Sequence, residues 1–107
     1  MIPMKENQIL VVIKEPGKEP YVDPLFDNTL ETFQKAVGGY IETVRIAEDL
    51  LIVCNEEGLI NNLPFNTKVC GYPLFGTVVA LGIKGDGFAS LKAAHIPAAR
   101  RLLSCGK

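Results

Sequence analysis

Three long apolar runs punctuate this chain. Ile9–Ile13 (ILVVI) is continuously β-branched or aliphatic, Leu50–Cys54 (LLIVC) is apolar at every position, and Leu74–Ile83 (LFGTVVALGI) is interrupted only by small residues and a threonine. Short apolar runs rich in β-branched residues predict buried strands. Gly76 marks a bulge or a point of close backbone approach within the third run. Tyr40–Ile46 (YIETVRI) alternates instead. Tyr40, Glu42, Val44 and Ile46 share one face; Ile41, Thr43 and Arg45 share the other. Only Ala47-Glu48-Asp49 separates this strand from Leu50–Cys54, so the two are predicted to form an antiparallel hairpin with Leu50–Cys54 as a central strand.

The helical period appears twice. Leu30, Phe33 and Val37 form one apolar face, Asn28 is the predicted N-cap, and Glu31 completes a capping-box pattern. Gly38-Gly39 stops this helix, which is predicted over Thr29–Val37. A second helix is predicted from about Ala93 to Leu103, with Ile96, Ala99 and Leu103 on one face and Pro97 in the first turn. Lys14–Pro20 reads as a loop, Tyr21–Pro24 as extended chain, and Asn55–Gly58 as a turn. Leu59 and Ile60 predict a short strand, Asn61–Pro73 irregular chain, Gly85-Asp86-Gly87 a turn, and Phe88–Leu91 a brief pairing. The predicted order is β-α-β-β-β-α. This is a two-layer α+β domain, with a mostly antiparallel sheet of about four to five strands and one covering helix. Residues 1–107 form one domain, 1–7 a flexible N-terminus, and 92–107 the C-terminal helix and tail.

Composition narrows the function classes. The 107 residues are 48% hydrophobic and 21% charged, an ordinary globular balance. Eleven basic and twelve acidic residues leave a formal charge of −1. Net charge therefore supports neither a non-specific nucleic-acid binder nor an acidic mimic of DNA. Cys54, Cys70 and Cys105 are odd in number and lack C-x-x-C spacing, so neither a disulfide framework nor a zinc site is expected. Cys54 is expected to pack as a small hydrophobe, and reduced thiols fit a cytoplasmic location. Met1–Asn7 shows no signal-peptide core, and the apolar runs fall far short of the ~20 residues of a membrane span. No cofactor is expected.

The candidate chemistry is sparse. Gly82–Gly87 holds three glycines near Lys84 but matches neither phosphate-loop pattern, so it reads as a hairpin turn. His95 is the sole histidine and reads as a surface residue of the last helix. Glu48/Asp49 and Glu56/Glu57 flank the central strand at opposite ends, so they cannot converge on one metal. Arg100-Arg101 reads as a solvated face. Glu42 is less easily explained: a carboxylate on an apolar face needs a partner, and Lys35 or a helix-terminal N–H is the expected one. Asn55, Asn61, Asn62 and Asn66 surround Pro64 in a polar stretch. Asparagine serves turns, but loops also collect binding residues. The candidate binding residues are thus Tyr40, Glu42, Asn55, Glu56, Asn61, Asn62 and Asn66.

Several runs resemble a known family. EPGKEPYV (Glu15–Val22), NTLETFQKAVGGYIE (Asn28–Glu42), LIVCNEEG (Leu51–Gly58) and LPFN (Leu63–Asn66) are similar to small uncharacterised proteins of phages, plasmids and integrative elements, mostly from Firmicutes and related gut bacteria. That family is known as a domain of unknown function. The likeness extends from about Ile9 to Leu91, and Gly76–Leu81 is similar to the family's closing run. Lys92-Ala93-Ala94-His95 departs from the acidic helix start usual there. The resemblance implies a mobile-element accessory context and supplies no catalytic residue. The first reading is a protein-binding module without catalysis. The alternative is a small-molecule or nucleotide-binding protein, or a small enzyme, with a pocket around Tyr40 and Glu42 that also draws on Cys54 or His95. A third reading is a homodimer joined through an exposed strand edge.

Overall fold

The computed structural model describes residues 7–104. The predicted flexible N-terminus falls almost wholly outside these residues, as does Cys105. The apolar runs become the interior of one antiparallel sheet. Its strands are β1 (Gln8–Lys14), β2 (Tyr21–Asp27), β3 (Ile41–Ala47), β4 (Leu50–Asn55) and β7 (Val78–Lys84), in the spatial order β2-β1-β7-β4-β3. A short strand β8 (Gly87–Ala89) also pairs with β7. The predicted β3–β4 hairpin is present, with Ala47 opposite Leu50 across the Glu48-Asp49 turn.

Successive residues of the interior strands feed opposite cores. Val12, Ile52, Cys54, Val78 and Ala80 join Ala99 and Leu103 of helix α2 (Ile96–Ser104). Val11, Ile13, Leu51, Val53, Val79 and Leu81 join Phe33 and Val37 of helix α1 (Leu30–Val37). A strand that is apolar at every position must be covered on both faces. The sheet therefore carries a helix on each side, and the expected two-layer arrangement with a single covering helix gives way to three layers.

The strand count was too low for two reasons. Tyr21–Asp27 pairs with β1 despite Pro24, because the proline sits on an edge strand where the register shifts between Ile9 and Val11. The segment expected to be irregular forms a separate two-stranded sheet, β5 (Phe65–Val69) and β6 (Tyr72–Phe75). Cys70 and Gly71 turn it with φ of 50° and 85°. Its Val69 and Leu74 pack into the α2-side core. The long run at 74–83 is broken at Gly76, where φ is +78°. A Cβ there would lie 2.8 Å from Leu63 Cδ1, so glycine is required both by conformation and by the close approach. Leu59 and Ile60 form no strand; they lie exposed in a turn at residues 56–62.

Helix α1 begins one residue later than expected. Thr29 is its N-cap, its Oγ1 accepting from Thr32 N at 3.2 Å, while the Asn28 amide donates to Phe88 O at 3.0 Å. Leu30 is 59% exposed and stands off the apolar face. Gly38 closes the helix in the left-handed conformation (φ 83°), its N–H donating to Gln34 O. Pro97 lies in the first turn of α2, as expected.

Candidate functional site

Among the described residues β3 is the terminal strand on its side of the sheet. Tyr40 O accepts a hydrogen bond from Glu56 N at 2.9 Å, and the register pairs Glu42 with Cys54 and Val44 with Ile52. In an antiparallel ladder alternate residues bond to the partner strand. The even-numbered residues of β3 therefore bond to β4, and Ile41, Thr43 and Arg45 turn their N–H and C=O groups outward. The opposite edge, β2, is interrupted by Pro24 and a bulge, which blunt it against pairing. The free stretch of β3 has no such guard before the register shift between Arg45 and Ala47.

Open grooves lie beside this edge. One of about 520 Å³ runs between β3 and β6, lined by Glu42, Val44 and Arg45 on one wall and Tyr72, Pro73 and Leu74 on the other. Another of about 180 Å³ shares Glu42, Pro73 and Leu74 and continues to Cys54, Glu56, Leu59 and Phe75. Leu59 and Tyr72, which line them, stand exposed, and Ile60, next to Leu59 in the chain, is exposed as well. Glu42 is exposed and forms no ion pair among the described residues, which corrects the expected pairing with Lys35 or a helix end. Its position on the Val44 and Ile46 face follows the alternation. It escapes burial because β3 is an edge.

The remaining candidates divide. Asn55 is buried: its Nδ2 donates to Val37 O at 3.1 Å, and its Oδ1 accepts from Glu57 N at 2.7 Å. It ties the end of α1 to the turn after β4, and the residue also lines the smaller groove. Asn66 is also buried, accepting from Lys14 Nζ at 3.0 Å and donating to Lys14 O and Gly76 O at 2.7 Å each. Asn62 holds a positive φ of 57° in the exposed turn. Glu56 lines the smaller groove with Glu42. Tyr40 and Asn61 line a different recess of about 280 Å³, with Gln34, Gly39 and Glu57. The expected single pocket around Tyr40 and Glu42 is thus two separate recesses.

Cys54 is unsuited to nucleophilic work. Burial, followed by the nearby Glu42 carboxylate, pushes its thiol up to about 11, and its Sγ faces Glu42 O at 3.7 Å. Cys70 is exposed. Brief alkylation of the native protein at pH 8, read by peptide mass spectrometry, is expected to label Cys70 and spare Cys54 until denaturant is added. Equal labelling of both thiols would contradict the burial.

At the other end of β4 the structure gathers a cluster that sequence reasoning missed. Lys92 Nζ lies 2.7 Å from Asp49 Oδ2, and His95 Nδ1 lies 3.7 Å from Asp49 Oδ1. The hydrogen bond from Lys92 lowers the Asp49 carboxyl below its ordinary value, and the same bond raises Lys92. Sequence separation hid this group, because Asp49 and His95 meet only when the segment before α2 crosses the β3–β4 turn. His95 is remote from Cys54, which lies near the opposite end of β4, so the two form no catalytic pair. Among the described residues no three His, Cys, Asp or Glu side chains converge as a metal site.

No curated protein and no solved structure matches the chain. Residues 6–103 match the family described as Domain of unknown function (DUF3846), and the chain belongs to that family.

Proposed function

We propose that this protein is an interaction module without catalytic chemistry. It binds another protein through the face made by the free edge of β3, the turn at residues 56–62 and the β5–β6 hairpin. The observation that carries this reading is a free strand edge without a proline, whose adjoining grooves are lined by exposed Leu59 and Tyr72. Apolar side chains grouped beside unpaired backbone are the usual marks of a contact surface. Asn66, which lines neither groove, is held inside by its bonds to Lys14 and Gly76, whereas Asn55 lines the smaller groove. The likeness of VGGYIE and CNEEG to mobile-element proteins supports an accessory role in such an element. The free thiols of Cys54 and Cys70 fit a cytoplasmic setting, and no described helix is long and apolar enough to cross a membrane.

The test is affinity capture from the native host with the wild-type protein and with a triple variant, Leu59→Ser, Ile60→Ser and Tyr72→Ser. All three side chains are exposed, so the variant is expected to melt within a few degrees of wild type. A partner held by the wild type is expected to be lost by the variant. Capture by both to the same extent would move the surface elsewhere, and capture by neither would sink the reading.

A further inference from the structure

We propose that the β3 edge receives an extended segment of a different protein. That segment is added as a further strand, with apolar side chains at alternate positions and a lysine or arginine placed beside Glu42 and Glu56. This deepens the interaction-module reading and rests on it.

The backbone makes the first argument. Ile41, Thr43 and Arg45 present outward N–H and C=O groups with no partner among the described residues. Another extended chain satisfies such a row in register. The groove makes the second. A strand seated about 4.8 Å from β3 directs every second side chain toward one face. On the Val44 face those side chains enter the groove of about 520 Å³ whose far wall is Tyr72, Pro73 and Leu74.

Charge makes the third argument and chooses the occupant. Glu42 and Glu56 line the adjoining groove among Leu59, Pro73, Leu74 and Phe75, and neither forms an ion pair among the described residues. The complementary group is a cation. A second copy of β3 cannot supply it. Two identical edges that join into one sheet are related by a two-fold axis normal to the sheet, so residues facing each other must lie on the same face. In the well-overlapped registers Glu42 then meets Glu42, Val44 or Ile46 of the second copy. Arg45 lies on the other face, and its guanidinium is held by Ala47 O and Glu48 O. Self-pairing would leave the carboxylate against an apolar or like-charged neighbour, which disfavours it.

The experiment selects random peptides, displayed on phage, against the whole protein. The expected result is enriched sequences with alternating apolar residues and one lysine or arginine. A synthetic copy is expected to bind at least tenfold more weakly to Thr43→Pro, which removes one outward N–H without touching the β4 ladder. N-methylating alternate backbone amides of the peptide should have the same effect with the protein unaltered, which covers a proline variant that folds poorly. Glu42→Lys is expected to lose about tenfold, and selection repeated on it should favour acidic residues in place of basic ones. Failure to enrich any such peptide, or binding indifferent to both Thr43→Pro and N-methylation, overturns strand addition. Sedimentation showing a dimer that Thr43→Pro dissolves overturns the choice of a different protein. If a host partner is lost by the Leu59, Ile60 and Tyr72 variant but kept by Thr43→Pro, the interaction reading stands and only strand addition falls.

Discussion

Replacing Asn66 with leucine is expected to lower the unfolding free energy by about 3–4 kcal/mol and the melting midpoint by roughly 15 °C. The two side chains are similar in size, so the change removes polar contacts rather than volume. Asn66 accepts from the buried Lys14 ammonium and donates to two carbonyls, Lys14 O and Gly76 O. A bond to a charged group contributes about 1.5–3 kcal/mol, and each donor taken away from a buried carbonyl costs about 1–3. Partial relaxation around Lys14, which also donates to Glu15 O, keeps the loss below the full sum. The same bonds fasten the β5–β6 sheet to the end of β1, so the hairpin that walls the groove should loosen with them. Asn61→Ala, in the exposed turn, should stay within about 0.5 kcal/mol of wild type. Urea unfolding of the two variants checks this. A loss below about 1 kcal/mol for Asn66→Leu would show that the network contributes little.

Phe33→Ala is expected to cost about 4–5 kcal/mol, a large share of the ~5–15 kcal/mol typical of a domain. Phe33 is 1% exposed and holds α1 to the sheet. Its ring lies 4.8 Å from Phe26 and 5.1 Å, edge-on, from Phe88. Alanine leaves a cavity that these neighbours, on β2 and β8, fill only in part. Leu30→Ala on the same helix should be close to neutral, because Leu30 is exposed. Calorimetry on both variants separates the two. Comparable losses would mean that the helix is anchored by its whole length rather than through Phe33 and Val37.

Local signals in the chain were sound where one residue suffices to decide the backbone. Gly38 ends α1, Glu48-Asp49 turns β3 into β4, and Gly85-Asp86 turns β7 into β8. The fully apolar Leu50–Cys54 is interior to the sheet because no other environment accepts both its faces. The sequence marks only Tyr21–Pro24 as extended chain, whereas the strand runs over Tyr21–Asp27, because an edge position makes the missing N–H of Pro24 harmless. The β5–β6 sheet was hidden because Pro64, Gly71 and Pro73 read as breakers of regular structure. Only the arrival of Lys14 from β1 and the carbonyl of Gly76 gives Asn66 its partners.

The candidate site divides along the same line. Asparagine spacing in the sequence could not separate Asn55 and Asn66, which are spent on backbone and Lys14, from Asn61 and Asn62, which lie exposed. The position of Glu42 on the Val44 face was legible, because alternation depends only on the local pleat. Whether that face was dry or open at Glu42 was not legible. It depends on whether β3 has a neighbour, and strand order comes from contacts between residues far apart in the chain. By itself the sequence determined the α+β class, the hairpin around Glu48-Asp49 and the central place of Leu50–Cys54 in the sheet, all consequences of side-chain period and backbone preference. Only the tertiary structure decided which strand is left at the edge, which asparagines are structural, and that Asp49, Lys92 and His95 meet. Each of these requires groups separated in sequence to be brought within a few ångströms, and no local pattern encodes that distance.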